Sequence, residues 1–213
     1  MSYVLEVLPA LLNGAVVTLQ VFFIVIVLSI PLGIVLAFLM QIKFKPLNWL
    51  LTLYVWIMRG TPLLLQLIFV YYVLPSVGIV FDRLPAAILA FTLNYAAYFA
   101  EIYRGGIESM PVGQYEAAKI LGYTKAQTFI RIILPQVIKR ILPAITNETI
   151  TLVKDTSLAF TIGVTEMFTM AKALASGQVS MIPYAFAALF YYILNLVVAF
   201  IMERIEKKMN YYR

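Results

Sequence analysis

The chain has 213 residues and a formal net charge of +6, with 63% hydrophobic residues, 12% charged residues and a mean hydropathy of +0.93. That charged fraction lies well below the about 25% of soluble domains, so a bilayer is the expected solvent. The absence of both cysteine and histidine excludes disulfide frameworks, thiolate nucleophiles, imidazole bases, haem ligation and the common zinc sites.

Long unbroken apolar runs such as Val16 to Met40 favour helices over the alternating strands of a barrel. The predicted fold is an all-α integral membrane protein, one domain over residues 1–213, with about five transmembrane helices near 15–41, 48–75, 84–108, 141–170 and 181–203. Ahead of them, Val4, Leu5, Glu6, Val7, Leu8, Pro9 and Asn13 suit a short helix lying at the outer interface over residues 1–14. The first span has no basic segment before it and is read as a retained helix, not a cleaved signal. Lysine and arginine first occur at Lys43 and Lys45. They recur in the central loop at Lys119, Lys125, Arg131, Lys139 and Arg140, and in the tail at Arg204, Lys207, Lys208 and Arg213. The loops assigned to the outside hold only Arg83 and Lys172, which places the N-terminus out and the C-terminus in. The basic residues are sorted by side and form no stripe, so the net charge calls for no nucleic-acid partner.

Within the second span, Arg59-Gly60-Thr61-Pro62 interrupts the apolar run. Proline cannot continue the ladder and Thr61 can cap a new start, giving either a kink with Arg59 snorkelling or a discontinuous helix whose N-terminus seats a carboxylate. In the third span Asn94, Tyr98 and Glu101 share one helical face, and in the fourth Glu148, Thr151 and Asp155 do. An ionised carboxylate in hydrocarbon costs at least about 2.5 kcal/mol, so these acids should point into a bundle or cavity, either lining a substrate path or pairing with Arg59, Arg104 or Lys154. Thr156, Ser157, Thr161 and Gly163 make the following stretch polar enough to bend or unwind.

The central loop changes to a soluble-helix pattern. Pro111 and Gly113 end the third span, and a short helix is predicted from about Gln114 to Leu121, stopped by Gly122. Thr124 caps a second helix to about Ile133, which Pro135 ends. Ala117 and Ala118 leave a shallow surface for another protein, with Glu116 near the helix start.

Glu116-Ala117-Ala118, Gly122 and Ile132, Leu134 and Pro135 follow the spacing E-A-A-x3-G-x9-I-x-L-P, which resembles the signature loop of the permease subunits of bacterial ABC importers. Arg59-Gly60-Thr61-Pro62 and Lys154-Asp155-Thr156-Ser157-Leu158 look like matching stretches of the polar amino acid uptake branch. The resemblance implies a type I permease fold in a bacterial cytoplasmic membrane. It also implies a homodimer whose loop around Glu116 to Gly122 is a coupling helix seated in a cytoplasmic ATPase dimer. A periplasmic or extracellular binding protein would dock on the outer loops near Ser76 to Arg83 and Ala171 to Ile182. The chain itself is expected to be non-catalytic and to hold no cofactor. It has no G-x4-G-K-[ST] phosphate loop, so ATP and magnesium belong to the partner.

An amino acid needs donors for its carboxylate and acceptors for its ammonium. Thr61, Gln66, Asn94 and Ser157 are the donor candidates, and Glu101, Glu148 and Asp155 the acceptors, with Thr151 on the same face as the last two. Three acids exceed one ammonium, which favours arginine, lysine or histidine over glutamine or another polar amino acid; Tyr98 could stack on a guanidinium. An ion- or proton-coupled secondary carrier would use the same carboxylates as a relay, but it leaves the polar central loop without a purpose. An intramembrane enzyme lacks a nucleophile with a base.

Overall fold

The structure is a computed structural model that describes residues 2–209. Arg213 and the side chains of Val4, Leu5 and Glu6, used in the reading above, lie outside the described residues. Among the described residues the chain is wholly helical.

Helix α1 spans Ser2–Leu39 without a break, so the expected interfacial helix over residues 1–14 is instead the first part of one long rod. The reason is burial. Val7, Leu11 and Ala15, spaced by one turn, pack against Met167, Ala171 and Ala187 in a satellite cluster away from the main core. Helix α2 runs Lys45–Gly60 and is followed, after Thr61 and Pro62, by α3 at Leu63–Ile68. The chain bends there by 109°, so the discontinuous alternative is the one adopted. A π turn at Phe69–Val73 and a 3-10 turn at Leu74–Val77 then end on Gly78, whose φ of +86° an L residue resists.

Helix α4, Arg83–Glu108, is the axis of the fold. Ala86, Ala87, Ala90, Phe91, Tyr95, Ala96, Ala97, Phe99 and Ala100 are all buried, and small side chains let neighbouring backbones approach closely. A Cβ on Gly33 of α1 would lie 2.7 Å from Phe99 Cβ and 3.1 Å from the Ala100 nitrogen. Short helices α5 (Val112–Ile120) and α6 (Lys125–Thr128) form the central loop. Gly122 between them has φ +78°, and Thr124 makes a full capping box with Gln127, as the sequence predicts.

Pro135 does not end the second loop helix. A π turn at Phe129–Ile133 leads directly into α7, Leu134–Asp155, with Pro135 in its first turn. There its missing N–H costs no ladder bond, and the widened turn gives the ring room. The predicted span 141–170 is likewise divided. Helix α7 tightens at Asp155 into a 3-10 segment, Thr156–Ile162, which stops at left-handed Gly163 before α8 at Met167–Gln178. Helix α9, Ile182–Lys208, closes the bundle.

Among the described residues two helices, α1 from Val7 and α9, are long and apolar enough to cross a membrane, and α2 with the bent continuation Leu63–Val77 makes a third if the pair is one span. Helix α4 carries Arg83, Glu101, Arg104 and Glu108, and α7 carries Lys139, Arg140, Glu148, Lys154 and Asp155. Among these, Arg104 pairs with Glu101 and Glu108, whereas Arg83, Arg140 and Lys154 are exposed.

The close crossing of α1 and α4 yields a test. Gly33→Val should lower the thermal midpoint of the detergent-solubilised protein, at an overpacking cost of about 1–3 kcal/mol. Gly105→Ala, whose added methyl meets nothing within 4 Å, should leave that midpoint unchanged or raise it. Equal shifts for both would show that the crossing tolerates a side chain.

Candidate functional site

A 109° break leaves carbonyls of the last α2 turn without their usual i+4 partners. Thr61 does not cap α3, as the sequence had suggested. Its N–H and hydroxyl both donate back to the Ile57 carbonyl, at 3.1 and 2.7 Å, so it closes α2. Gln66 Nε2 reaches back from α3 to the Met58 carbonyl at 2.9 Å and to Thr61 Oγ1 at 2.8 Å. From α4, buried Asn94 donates to the same Met58 carbonyl at 2.8 Å and to Gln66 Oε1 at 2.9 Å. Three predicted site residues therefore meet, and their polar atoms are largely spent on holding the break.

One turn further along α4, Tyr98 carries the Arg59 guanidinium over its ring at 5.4 Å from the centroid. Glu101 is gripped by both the Nε and the Nη2 of Arg104, with the Nε contact at 2.9 Å, and lies 3.8 Å from Arg59 Nη1. Arg104 also bonds Glu108 at 2.5 Å. Glu101 thus makes the pairing with Arg104 that the sequence offered as one alternative.

On α7 the other two acids differ. Asp155 accepts a hydrogen bond from the Tyr95 hydroxyl at 2.7 Å, and Glu148 lies half-buried two turns earlier on the same face. Neither has an ion pair among the described residues. Thr151 lies half-buried between them in sequence. The 3-10 segment that follows packs against α3, which brings the Lys154–Leu158 stretch to the helix break. Ser157, however, donates to the Lys154 carbonyl at 2.7 Å and lines a separate groove of about 350 Å³ with Lys154, Phe168, Tyr184 and Tyr191. It is not grouped with the carboxylates.

The loop site is exposed. Glu116, Ala117 and Gly122 face outward, whereas Ala118 is turned inward at 1% exposure and cannot contribute to a socket. Beside them Ile120 and Leu121 stand out at 86% and 73% exposure, an apolar pair the composition of the loop had masked. Two further residues escaped the sequence reading. Tyr95 is buried and its only signal was its place beside Asn94. Glu166 is buried and caps α8 through the Phe168 and Thr169 N–H groups at 2.8 and 2.7 Å, while the Tyr191 hydroxyl donates to it at 2.7 Å. Glutamate is not among the preferred cap residues, so its capping role had no clear sequence signal.

Asn94→Asp keeps the shape of the side chain but sets an acceptor against two acceptors. It should destabilise the solubilised protein more than Asn94→Ala, which leaves bonds unmade at about 1–3 kcal/mol. Equal thermal midpoints for the two variants would mean that these bonds do not hold the break.

Comparison with known proteins places this arrangement. A profile described as "Binding-protein-dependent transport system inner membrane component" matches residues 29–211. The arginine transport system permease protein ArtQ of Bacillus subtilis is 38% identical over 207 residues, covering 95% of this chain and 94% of its own. The L-cystine transport system permease protein TcyB of the same organism is 35% identical over 206 residues, covering 96% and 88%. A crystal structure described as an amino acid ABC transporter with histidines superimposes with a TM-score of 0.90 at 31% identity, over 97% of each chain. The chain accordingly belongs to the family of inner membrane components of binding-protein-dependent transport systems.

Proposed function

We propose that this chain is the permease subunit of an ATP-driven amino acid importer, a homodimer of five-crossing protomers in a bacterial cytoplasmic membrane, with N-termini out and C-termini in. The chain as a whole forms one transmembrane domain. Its partners are a cytoplasmic ATPase dimer, which binds ATP and magnesium, and an external binding protein that delivers the substrate. Relatives named for arginine and cystine transport support the substrate class.

One observation carries the reading: Glu148 and Asp155, two carboxylates on one face of α7, have no ion pair among the described residues, and the Met58 carbonyl at the nearby helix break is already taken by Gln66 and Asn94. A free amino acid with a basic side chain brings two positive charges to that place. Its ammonium would take Asp155 and its side-chain cation Glu148 while stacking on Tyr98, with Thr151 and the Tyr95 hydroxyl to complete the polar lining. Glu101, already neutralised by Arg104, sets the charge balance at the rim. The substrate is held in one conformation and released in another, which is differential binding and involves no bond chemistry.

The loop supplies the lever. Glu116, Ala117, Ile120, Leu121 and Gly122 form a small outward knob suited to a groove in the ATPase, and α6 runs on through the π turn and α7 without interruption to Asp155. Movement of the knob is passed along that rod to the carboxylates.

Gly122→Glu tests the coupling. A glycine at φ +78° is replaced by a residue strained there by about 1–3 kcal/mol and charged at the contact. The wild-type protein solubilised from its native membrane should bring down an ATPase stimulated by basic amino acids with their binding protein, and the variant should lose it. If no ATPase accompanies the wild type, a secondary carrier becomes the better account. For the substrate, Glu148→Gln should weaken arginine binding at least about tenfold; binding left intact would remove the cationic preference and leave glutamine-like substrates.

A further inference from the structure

The seat that Tyr98 and Glu101 offer to a guanidinium is already filled by the chain's own Arg59. We propose that Arg59 is a tethered stand-in for the substrate's cationic side chain, which it must yield to before a basic amino acid binds. The inference rests on the importer reading and names a specificity determinant within it.

Three features separate Arg59 from a structural cation. Its two contacts are loose: a ring at 5.4 Å and a carboxylate at 3.8 Å, and it makes no hydrogen bond among the described residues. Glu101 does not need it, because the Arg104 Nε and Nη2 already hold both of its oxygens. Finally, its side chain is 41% exposed in the last turn of α2, next to Gly60, around which a Cβ would meet nothing within 4 Å. With 41% of its side chain exposed and no hydrogen bond among the described residues, the guanidinium has room to leave the ring.

A tethered cation competes with a free one. While Arg59 covers Tyr98, only the uncovered fraction of the protein can take a guanidinium side chain, and the apparent affinity falls by that fraction. A neutral amino acid does not need the seat and is not penalised. The residue would thus suppress weak cations and leave the site neutralised when empty.

The test is equilibrium binding of radiolabelled arginine and of radiolabelled glutamine to the purified permease–ATPase complex. Arg59→Met should tighten arginine binding about tenfold and leave glutamine within about twofold. The gain should vanish when Tyr98→Leu is added, since that change removes the shared seat. A gain that persists without Tyr98 means plain charge repulsion and overturns the proposal, as does an equal gain for glutamine or no gain at all. Should Arg59→Met not assemble with the ATPase, Arg59→Lys, which keeps the charge but stacks less well, should bind arginine several-fold tighter than wild type; wild-type affinity overturns the idea. A wild-type complex that binds neither amino acid defeats the importer reading itself and this inference with it.

Discussion

Everything at the candidate site depends on satisfying the backbone at the break between α2 and α3. A helix that turns through 109° in apolar surroundings exposes carbonyls that neither lipid nor aliphatic side chains can pair. The chain solves this with two amides, Gln66 from beyond the break and Asn94 from α4, which converge on the Met58 carbonyl. Because Asn94 is buried on α4, the exposed break at Arg59–Pro62 is tied to the core helix. Arg59, Tyr98 and Glu101 then take their places from that anchor, and the 3-10 segment after Asp155 packs against α3 on the other side.

The charges follow a division between committed and uncommitted groups. Arg104 ties Glu101 and Glu108 on α4, Arg140 donates to the Ser109 carbonyl and hydroxyl at the end of that helix, and Glu166 is used up in capping α8. Glu148 and Asp155 on α7 have no ion pair among the described residues, and the Arg59 guanidinium is held only loosely. A bundle built only for stability would have little reason to leave both signs underused, since unpaired charge away from water is expensive. A site that must bind a charged solute and then release it needs that reserve.

Continuity from loop to site is a mechanical counterpart. From Lys125 to Asp155 the chain is helical throughout, with a π turn absorbing the register change ahead of Pro135. At 1.5 Å per residue that stretch is about 45 Å along its path, with Pro143 inside it. The capping box at Thr124 and left-handed Gly122 fix how the loop enters it.

Helical class, the polar central loop, the Gly122 stop, the Thr124 cap and the break at Pro62 were all legible in the sequence, because each depends on local backbone chemistry or on the contrast between apolar and polar runs. The membership of the candidate site was partly legible, since turn spacing puts Asn94, Tyr98 and Glu101 on one face whatever the fold. The pairing of Glu101 with Arg104 was within reach of the sequence, since three residues on one helix separate them, whereas the meeting of Asp155 with Tyr95 across two helices was not. Tertiary packing also decided that Ala118 turns inward, that residues 1–14 extend α1 against α8, and that Pro135 begins a helix it seemed to end. Local sequence determines where a helix can start, stop or bend, while the pairing of distant side chains and the burial of one face over another are set by neighbours that only the folded chain brings together.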